Sequence, residues 1–443
     1  MSISRVLPGL LLAMLLAALD QTLMTPALPA VARDLGGLEQ MPAVVTAYLV
    51  TATVAMPLYG KLGDALGRKP VMLAAIALFV TGAVLCALAA TMPQLIAFRV
   101  IQGLGGGGLM VGSQAIIGEL VSPRERGRYL GLIGAAYAVA IVAGPLIGGL
   151  VVDRASWRWI FAIHPPLGLA AFVLLALTLR LPRPSHHARI DYAGAAALAV
   201  AVVGVVMLGQ TREPVWLAVA VAGAALWTVT ALRAQDPVLP PRLFRDRGFA
   251  VPVAISFLIG FALFGTLTYL PAYLQIAEGA SATGGGLIVT ALMAGVLVTT
   301  VLSGRLITKT GRYRPYPIAG TALAAAGLAA LAVLDPGPVA LVLAMPVIGL
   351  GVGLVMQVMV LITQNGASRD DLGVATASVT FLRQIGASAG VAVAGAVVTG
   401  GDLATTVPRV FAIMAPLLVV AFLLSFALPV RPLRTTAHVK ETV

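Results

Sequence analysis

The stretch from Leu15 to Pro29, LLAALDQTLMTPALP, decides how this chain is read. It is apolar enough to belong to a membrane-crossing helix, yet it holds a carboxylate, Asp20, near its middle. An acid at that depth costs at least ~2.5 kcal/mol on insertion scales, so its presence points to function. Ala30-Val31-Ala32 resembles a signal-peptidase site, but the apolar run before it is too long for a signal sequence and contains Asp20. The first span is expected to be retained.

Working outward, the composition fits no soluble class: 59% of the 443 residues are hydrophobic and 10% charged. Apolar stretches of roughly 19 to 28 residues, each able to cross a bilayer, recur fourteen times. The net charge of +12 does not indicate nucleic acid, because the basic residues sit in short gaps between apolar runs, with no basic stripe and no aromatic stacking motif. With an inner N-terminus, 22 of the 29 Lys and Arg fall on the inner side and five on the outer (Arg33, Arg154, Arg158, Arg212, Arg409), leaving Arg99 and Arg383 within spans. That asymmetry predicts fourteen spans with both termini cytoplasmic. The same accounting places every other acid at a surface and leaves Asp20 alone inside. Cys86 is the only cysteine and cannot form an intramolecular disulfide.

Two internal echoes group the spans. Gly60 to Pro70 (GKLGDALGRKP) is similar to Gly304 to Pro315 (GRLITKTGRYRP), and Arg99 to Met110 (RVIQGLGGGGLM) to Met345 to Met356 (MPVIGLGVGLVM), at nearly one offset. A duplicated six-helix unit with two inserted helices follows, the repeats being parallel. The expected divisions are an N-terminal bundle over 1–183, an inserted pair (spans seven and eight) over 184–236 and a C-terminal bundle over 237–443. The glycines at 103 and 105–108 let a neighbouring helix approach closely. No strand precedes them and no Lys-Ser/Thr follows, which argues against a nucleotide loop.

GKLGDALGRKP resembles the loop signature of the major facilitator superfamily, and AVAIVAGPLIGG (Ala138 to Gly149) the fifth-helix antiporter motif of its exporters. LDQTLMTPALP, SWRWIFAIHPPLG (Ser156 to Gly168) and DLGVATASVTFLRQIGASAG (Asp371 to Gly390) resemble the fourteen-span drug:proton antiporter branch, the EmrB/QacA type. The resemblance implies an all-α major facilitator fold, a cytoplasmic gate at Gly60, Gly63, Asp64, Gly67, Arg68 and Lys69, and a cavity seal at Gly144, Pro145, Gly148 and Gly149. Thr308 stands where Asp64 has its counterpart, so the gate is expected to be asymmetric. It further implies proton-coupled efflux of lipophilic, cationic drugs and hence antibiotic resistance, in the cytoplasmic membrane of a bacterium. The proton gradient is the expected energy source, with no cofactor, no metal and no nucleic acid. Protons, lipophilic substrates and membrane lipids are the expected partners of a monomer. Export of lipids or lysolipids on the same scaffold is the alternative.

Asp20 lies about ten residues and Arg99 about six from the outer ends of their spans, so an Arg side chain can bridge their difference in depth. Asp20, Arg99 and Gln102 are the expected coupling group, with Asp20 alternating between a proton and a cationic substrate. A permanent ion pair that fixes helix packing is the other reading. The resemblance implies that Asp20, Gln21, Met24, Tyr48, Phe261, Phe264, Tyr269, Met356 and Gln357 are cavity residues, on helices that line the cavity in major facilitators if spans nine and twelve take the places of the first and fourth of the second half; aromatic and Met surfaces suit varied ligands. Some members of the resembled family carry a second acid in the tenth span, associated with divalent substrates; Ala282 to Thr308 holds none, so the resemblance implies mono-cationic or neutral cargo. Arg383 is a second buried charge, without an evident acidic partner. His164, His186, His187 and His438 fall in loops or at span ends, which argues against a proton relay or metal pair. His164-Pro165 stands where the family shows Asn and an apolar residue. An enzyme would need paired acids, a His cluster or an activated nucleophile at lipid depth, and none is present.

Overall fold

The computed structural model describes residues 3–182, 191–276, 282–333, 338–398, 402–433 and 435. The apolar runs form helices because the hydrocarbon core offers no partner for backbone N–H and C=O groups except the helix's own ladder. The first half comprises α1 (Ile3–Leu35), α2 (Met41–Leu66), α3 (Arg68–Ala87), α4 (Met92–Leu120), α5 (Pro123–Arg154), α6 (Arg158–Ala162) and α7 (His164–Thr178). The hairpin α8 (Tyr192–Thr211) and α9 (Val215–Arg233) follows. The second half comprises α10 (Arg247–Ile276), α11 (Ala282–Thr310), α12 (Pro315–Val333), α13 (Pro338–Gly366), α14 (Leu372–Val398) and α15 (Leu403–Ser425). Fourteen of the described segments are long and apolar enough to cross a membrane, and no strand occurs among the described residues. The sixth span is not one helix: it breaks at Ile163 between α6 and α7, and Pro165 and Pro166 occupy the first turn of α7, where a missing N–H costs nothing.

The repeat read from the sequence is visible in the packing. α4 is wedged between α2 and α3: a Cβ on Gly103 or Gly107 would collide with the α2 backbone at Tyr48 or Ala52, and one on Gly105 with the α3 backbone at Ala75 and Phe79. Shifted by 246 positions, Gly349 and Gly353 of α13 meet Leu292 and Val296 of α11, while Gly351 meets Gly320 of α12. Both copies turn between their second and third helices on a glycine in the left-handed region, Gly67 (φ 94°) and Gly311 (φ 72°), where a Cβ is disfavoured. These turns define what is called here the basic face, since Lys61, Arg68, Lys69, Lys309, Arg312 and Arg314 lie at or beside them.

The hairpin α8–α9 packs through Gly204 against Ala220 and Gly223 against Ala201. α8 also contacts α2 and α14, one from each half. Gln210 hydrogen-bonds Thr46 of α2, and Gly209 lies against Ser388 and Ala392 of α14. α9 turns Leu217, Val221, Leu226 and Leu232 outward.

Gly107→Val forces a branched side chain onto the Ala52 carbonyl and is expected to destabilise the fold by about 1–3 kcal/mol. Gly149 has open space where its Cβ would be, so Gly149→Val should leave stability unchanged. Thermal unfolding of the two purified variants checks the contrast.

Candidate functional site: a buried ion pair beside a cavity between the halves

Asp20 of α1 and Arg99 of α4 are each 1% exposed. Arg99 Nη1 donates to Asp20 Oδ2 at 2.6 Å and to Gln102 Oε1 at 2.9 Å, while Gln102 Nε2 donates to Asp20 Oδ1 at 2.8 Å. Arg99 and Gln102 are three residues apart on one helix and therefore share a face. Arg99 Nε donates to the Val44 carbonyl at 3.3 Å, and its guanidinium lies 4.3 Å from the Tyr48 ring centroid. Losing one member of a buried pair of this kind costs about 3–5 kcal/mol, because the other charge is left uncompensated in low dielectric. The three residues expected to form the coupling group are thus in contact.

Sequence reasoning missed a fourth member. His164, read as a span-end residue with no relay role, is 1% exposed, and its Nε2 lies 3.8 Å from Asp20 Oδ1. Phe79 of α3 meets its ring edge-on at 5.4 Å. The His-Pro-Pro string was the available signal. His186, His187 and His438 lie outside the described residues.

A cavity with about 980 Å³ of empty space separates the halves just beyond this cluster. Gln21 and Thr22 of α1, Tyr137 and Ile141 of α5, Gln210 of α8, Phe264 and Thr268 of α10, and Gln384, Ala387 and Ser388 of α14 line it. Of the expected cavity residues, Gln21 and Phe264 are in this wall. Asp20, Met24 and Tyr48 are buried behind it, Tyr48 as the shelf under Arg99. Phe261 packs on Gly390, and Tyr269 accepts a hydrogen bond from Arg212 Nη2 at 3.5 Å. Met356 and Gln357 of α13 are absent from the lining, and the half-copy positions did not predict α8 as a wall. Arg383 is 8% exposed, one turn before Ala387, and its Nη1 is buried without a hydrogen-bond partner. Among the described residues, no cluster of His, Cys, Asp and Glu could hold a metal ion.

The expected gate residues lie where the halves meet on the basic face. Asp64 pairs with Arg68 and accepts from the backbone N–H groups of Gly373 and Val374, each at 3.0 Å. The carboxylate thereby sits on the positive end of α14 in the opposite half. Arg68 also reaches Glu119 Oε2 at 3.3 Å and the Gly60 carbonyl at 3.3 Å. Gly60 lies so close to Gly373 and Ala377 that a Cβ would meet them at under 3 Å. Gly63 lies against the Arg68 side chain, and Lys69 donates to the Ala176 carbonyl at 2.6 Å, within its own half.

The copy lacking an acid uses the opposite charge. Arg124 of α5 donates to the carbonyls of Thr308 and Lys309 at 3.3 and 3.2 Å, on the negative end of α11. Arg126 donates to the Gln364 carbonyl, Gln364 to the Gln114 carbonyl, and Thr380 to Gln114 Oε1. These polar crossings had no sequence signal.

In the antiporter stretch, a Cβ on Gly144 would strike Thr22, and one on Gly148 the Leu23 carbonyl and Pro26. Thr22 Oγ1 donates to the Ala140 carbonyl at 3.1 Å. α5 therefore runs tightly along α1 and stays one continuous helix, with Pro145 exposed and Gly149 facing open space. On the face away from the basic turns, Arg158 Nη1 and Trp157 Nε1 donate to Asp34 Oδ2 at 2.6 and 3.0 Å. These donors, Arg158 foremost, hold the Asp34 carboxyl below its usual 3.8. A carboxyl lowered by folding contributes stability above its unfolded value and loses it as pH falls through the folded one.

The fold and these sites define a polytopic transporter with two parallel helical repeats around a central cavity. The sequence model of the Major Facilitator Superfamily matches residues 10–391, and the chain belongs to that family. It is 40% identical over 402 residues to an uncharacterized MFS-type transporter of Mycobacterium tuberculosis, covering 88% of this chain and 58% of that protein's length. It is 36% identical over 411 residues to the multidrug transporter protein MdtP of Bacillus subtilis, covering 90% of this chain and 76% of that protein. The crystal structure of the human organic anion transporter MFSD10 (TETRAN) shares the fold, with a TM-score of 0.74 at 18% identity, over 95% of this chain and 99% of that one. Fourteen spans and a similarity to multidrug transporters agree with the resemblance to the fourteen-span branch of that family.

Asp64→Asn removes the charge from the α14 N-terminus and is expected to loosen the closed basic face. In a Cys86→Ser background carrying Thr380→Cys, the rate of thiol labelling by a polar reagent should rise about tenfold, equivalent to about 1.4 kcal/mol.

Proposed function

We propose that this protein exports lipophilic compounds by alternating access, driven by inward proton flow through Asp20. One observation carries the reading: the Asp20 carboxylate is buried against Arg99 and Gln102, on the helix whose next two residues, Gln21 and Thr22, line the cavity. An acid in that position can report its protonation to the wall of the cargo chamber. With the basic face cytoplasmic, in the membrane of a bacterial cell, the closed contacts at Asp64 and Arg124 make this the outward-facing pose. Protonating Asp20 dissolves its charge pairing with Arg99, which frees α1 and α4 to shift as the halves rock. The chain works as a monomer and needs no cofactor.

The charge expected of the cargo is narrowed by the wall. It is mainly apolar, with a few amide and hydroxyl side chains and no carboxylate. Neutral lipophiles therefore meet no penalty, whereas a cation requires Asp20 to be released from Arg99 first. Lipids or lysolipids remain the second reading, because α8 lines the cavity while its partner α9 faces outward with apolar side chains.

Purified protein in proteoliposomes should release protons when a lipophilic drug is added, and Asp20→Asn should reduce that release at least about tenfold. Undiminished coupled export by Asp20→Asn would make the Asp20–Arg99 pair a packing element. Flipping of a fluorescent lysolipid without drug-dependent proton release would favour the lipid exporter.

A further inference from the structure

The His164 ring nitrogen that faces Asp20, Nε2, is buried and without a hydrogen-bond partner. A buried polar group left unsatisfied is costly and calls for a role. The 3.8 Å from Nε2 to Asp20 Oδ1 is too long for a hydrogen bond, yet a small side-chain shift would close it.

The groups facing the imidazole come from several elements. Burial is the largest influence and favours a neutral ring, as does Arg99 of α4; Asp20 of α1 and the carbonyls of Phe161 and Ile160 at the end of α6 favour a positive one. Phe79 of α3 presents its ring. The Cys86 thiol and the Tyr48 hydroxyl lie beyond, bonded to Gln102 and to the Ala17 carbonyl. Each Asp20 oxygen accepts one hydrogen bond, from Arg99 or from Gln102, and keeps a further lone pair. His164 Nε2, 3.8 Å from Oδ1 and without a hydrogen bond of its own, can bring a proton to that free position before either donor is displaced.

We propose that His164 is the first acceptor of the coupling proton and passes it to Asp20, an inference that rests on the proton-coupled reading above. A proton from water adds to the free ring nitrogen. The imidazolium then closes on Asp20 Oδ1 and competes with Gln102 and Arg99 for the carboxylate. The N–H bond breaks as the O–H bond of Asp20 forms, which returns the ring to neutral and leaves Asp20 protonated and Arg99 unpaired. His164 thereby unlocks an ion pair that is otherwise held by Arg99 and Gln102.

The test uses the full chain in lipid nanodiscs with isotope-labelled imidazoles, carrying His186→Gln, His187→Gln and His438→Gln so that His164 is the remaining histidine. Its ring is followed by NMR from about pH 5 to about pH 9. The ring is expected to pass from neutral to charged within that range, and Asp20→Asn should move the midpoint down by about one unit or more. A ring that stays neutral throughout, or a midpoint that Asp20→Asn leaves in place, overturns the proposal. In proteoliposomes, His164→Asn should shift the pH at half-maximal drug-dependent proton release by about one unit or more, and a profile identical to the native one overturns the proposal. If Asp20→Asn itself keeps coupled release, the transport reading falls, while the ring titration still decides whether His164 faces Asp20 as a proton carrier. Should His164→Asn not fold, the titration of the native residue decides alone.

Discussion

The constraint on which the rest of this molecule depends is that a charge in the membrane interior must be answered by another. Asp20 and Arg99 meet it together, with Gln102 completing the carboxylate and Val44 and Tyr48 holding the guanidinium. Neither charge is stable there without its partner, so α1 and α4 are held in one relative position for as long as both remain ionised. A proton is the smallest change that alters the requirement. The lock lies on the helix that also forms the chamber wall, and this is the basis of the coupling proposed above.

The same electrostatic logic closes the basic face, with helix ends in place of side-chain partners. Asp64 sits on the positive end of α14 and Arg124 on the negative end of α11. The contacts are near mirror images in sign and occupy corresponding positions of the two copies. Backbone dipoles of this kind appear and vanish with a small relative tilt of the halves. They therefore suit a contact that must form and break in every cycle better than a greasy seam would.

Glycines set the distance at which these interactions operate. Because α4 rides on the backbones of α2 and α3, and α13 on those of α11 and α12, each half moves as a packed unit, and the give is left at the seam between them. The inserted hairpin sits on that seam. α8 touches both α2 and α14 and contributes Gln210 to the chamber, so it is part of the wall as well as of the scaffold.

Much of this was legible in the residues alone, for a local reason. Span number follows from the length of apolar runs, sidedness from the placement of Lys and Arg, and the repeat from echoes at one offset, none of which needs knowledge of which helix touches which. Asp20 and Arg99 could be paired because helix rise converts sequence position into depth. What depth does not supply is azimuth, the direction in which a side chain points around its helix. That is decided only when helices pack. Tyr48 and Met24 fell behind the chamber wall instead of in it, Gln364 and Gln114 met across the halves, and the packing of the sixth span against α1 and α3 set His164 beside Asp20. Composition and the lengths of the apolar runs determined a fourteen-span membrane protein with a charge inside it, and its motifs the resemblance to a transporter family; the packing of those helices alone decided which residues surround that charge.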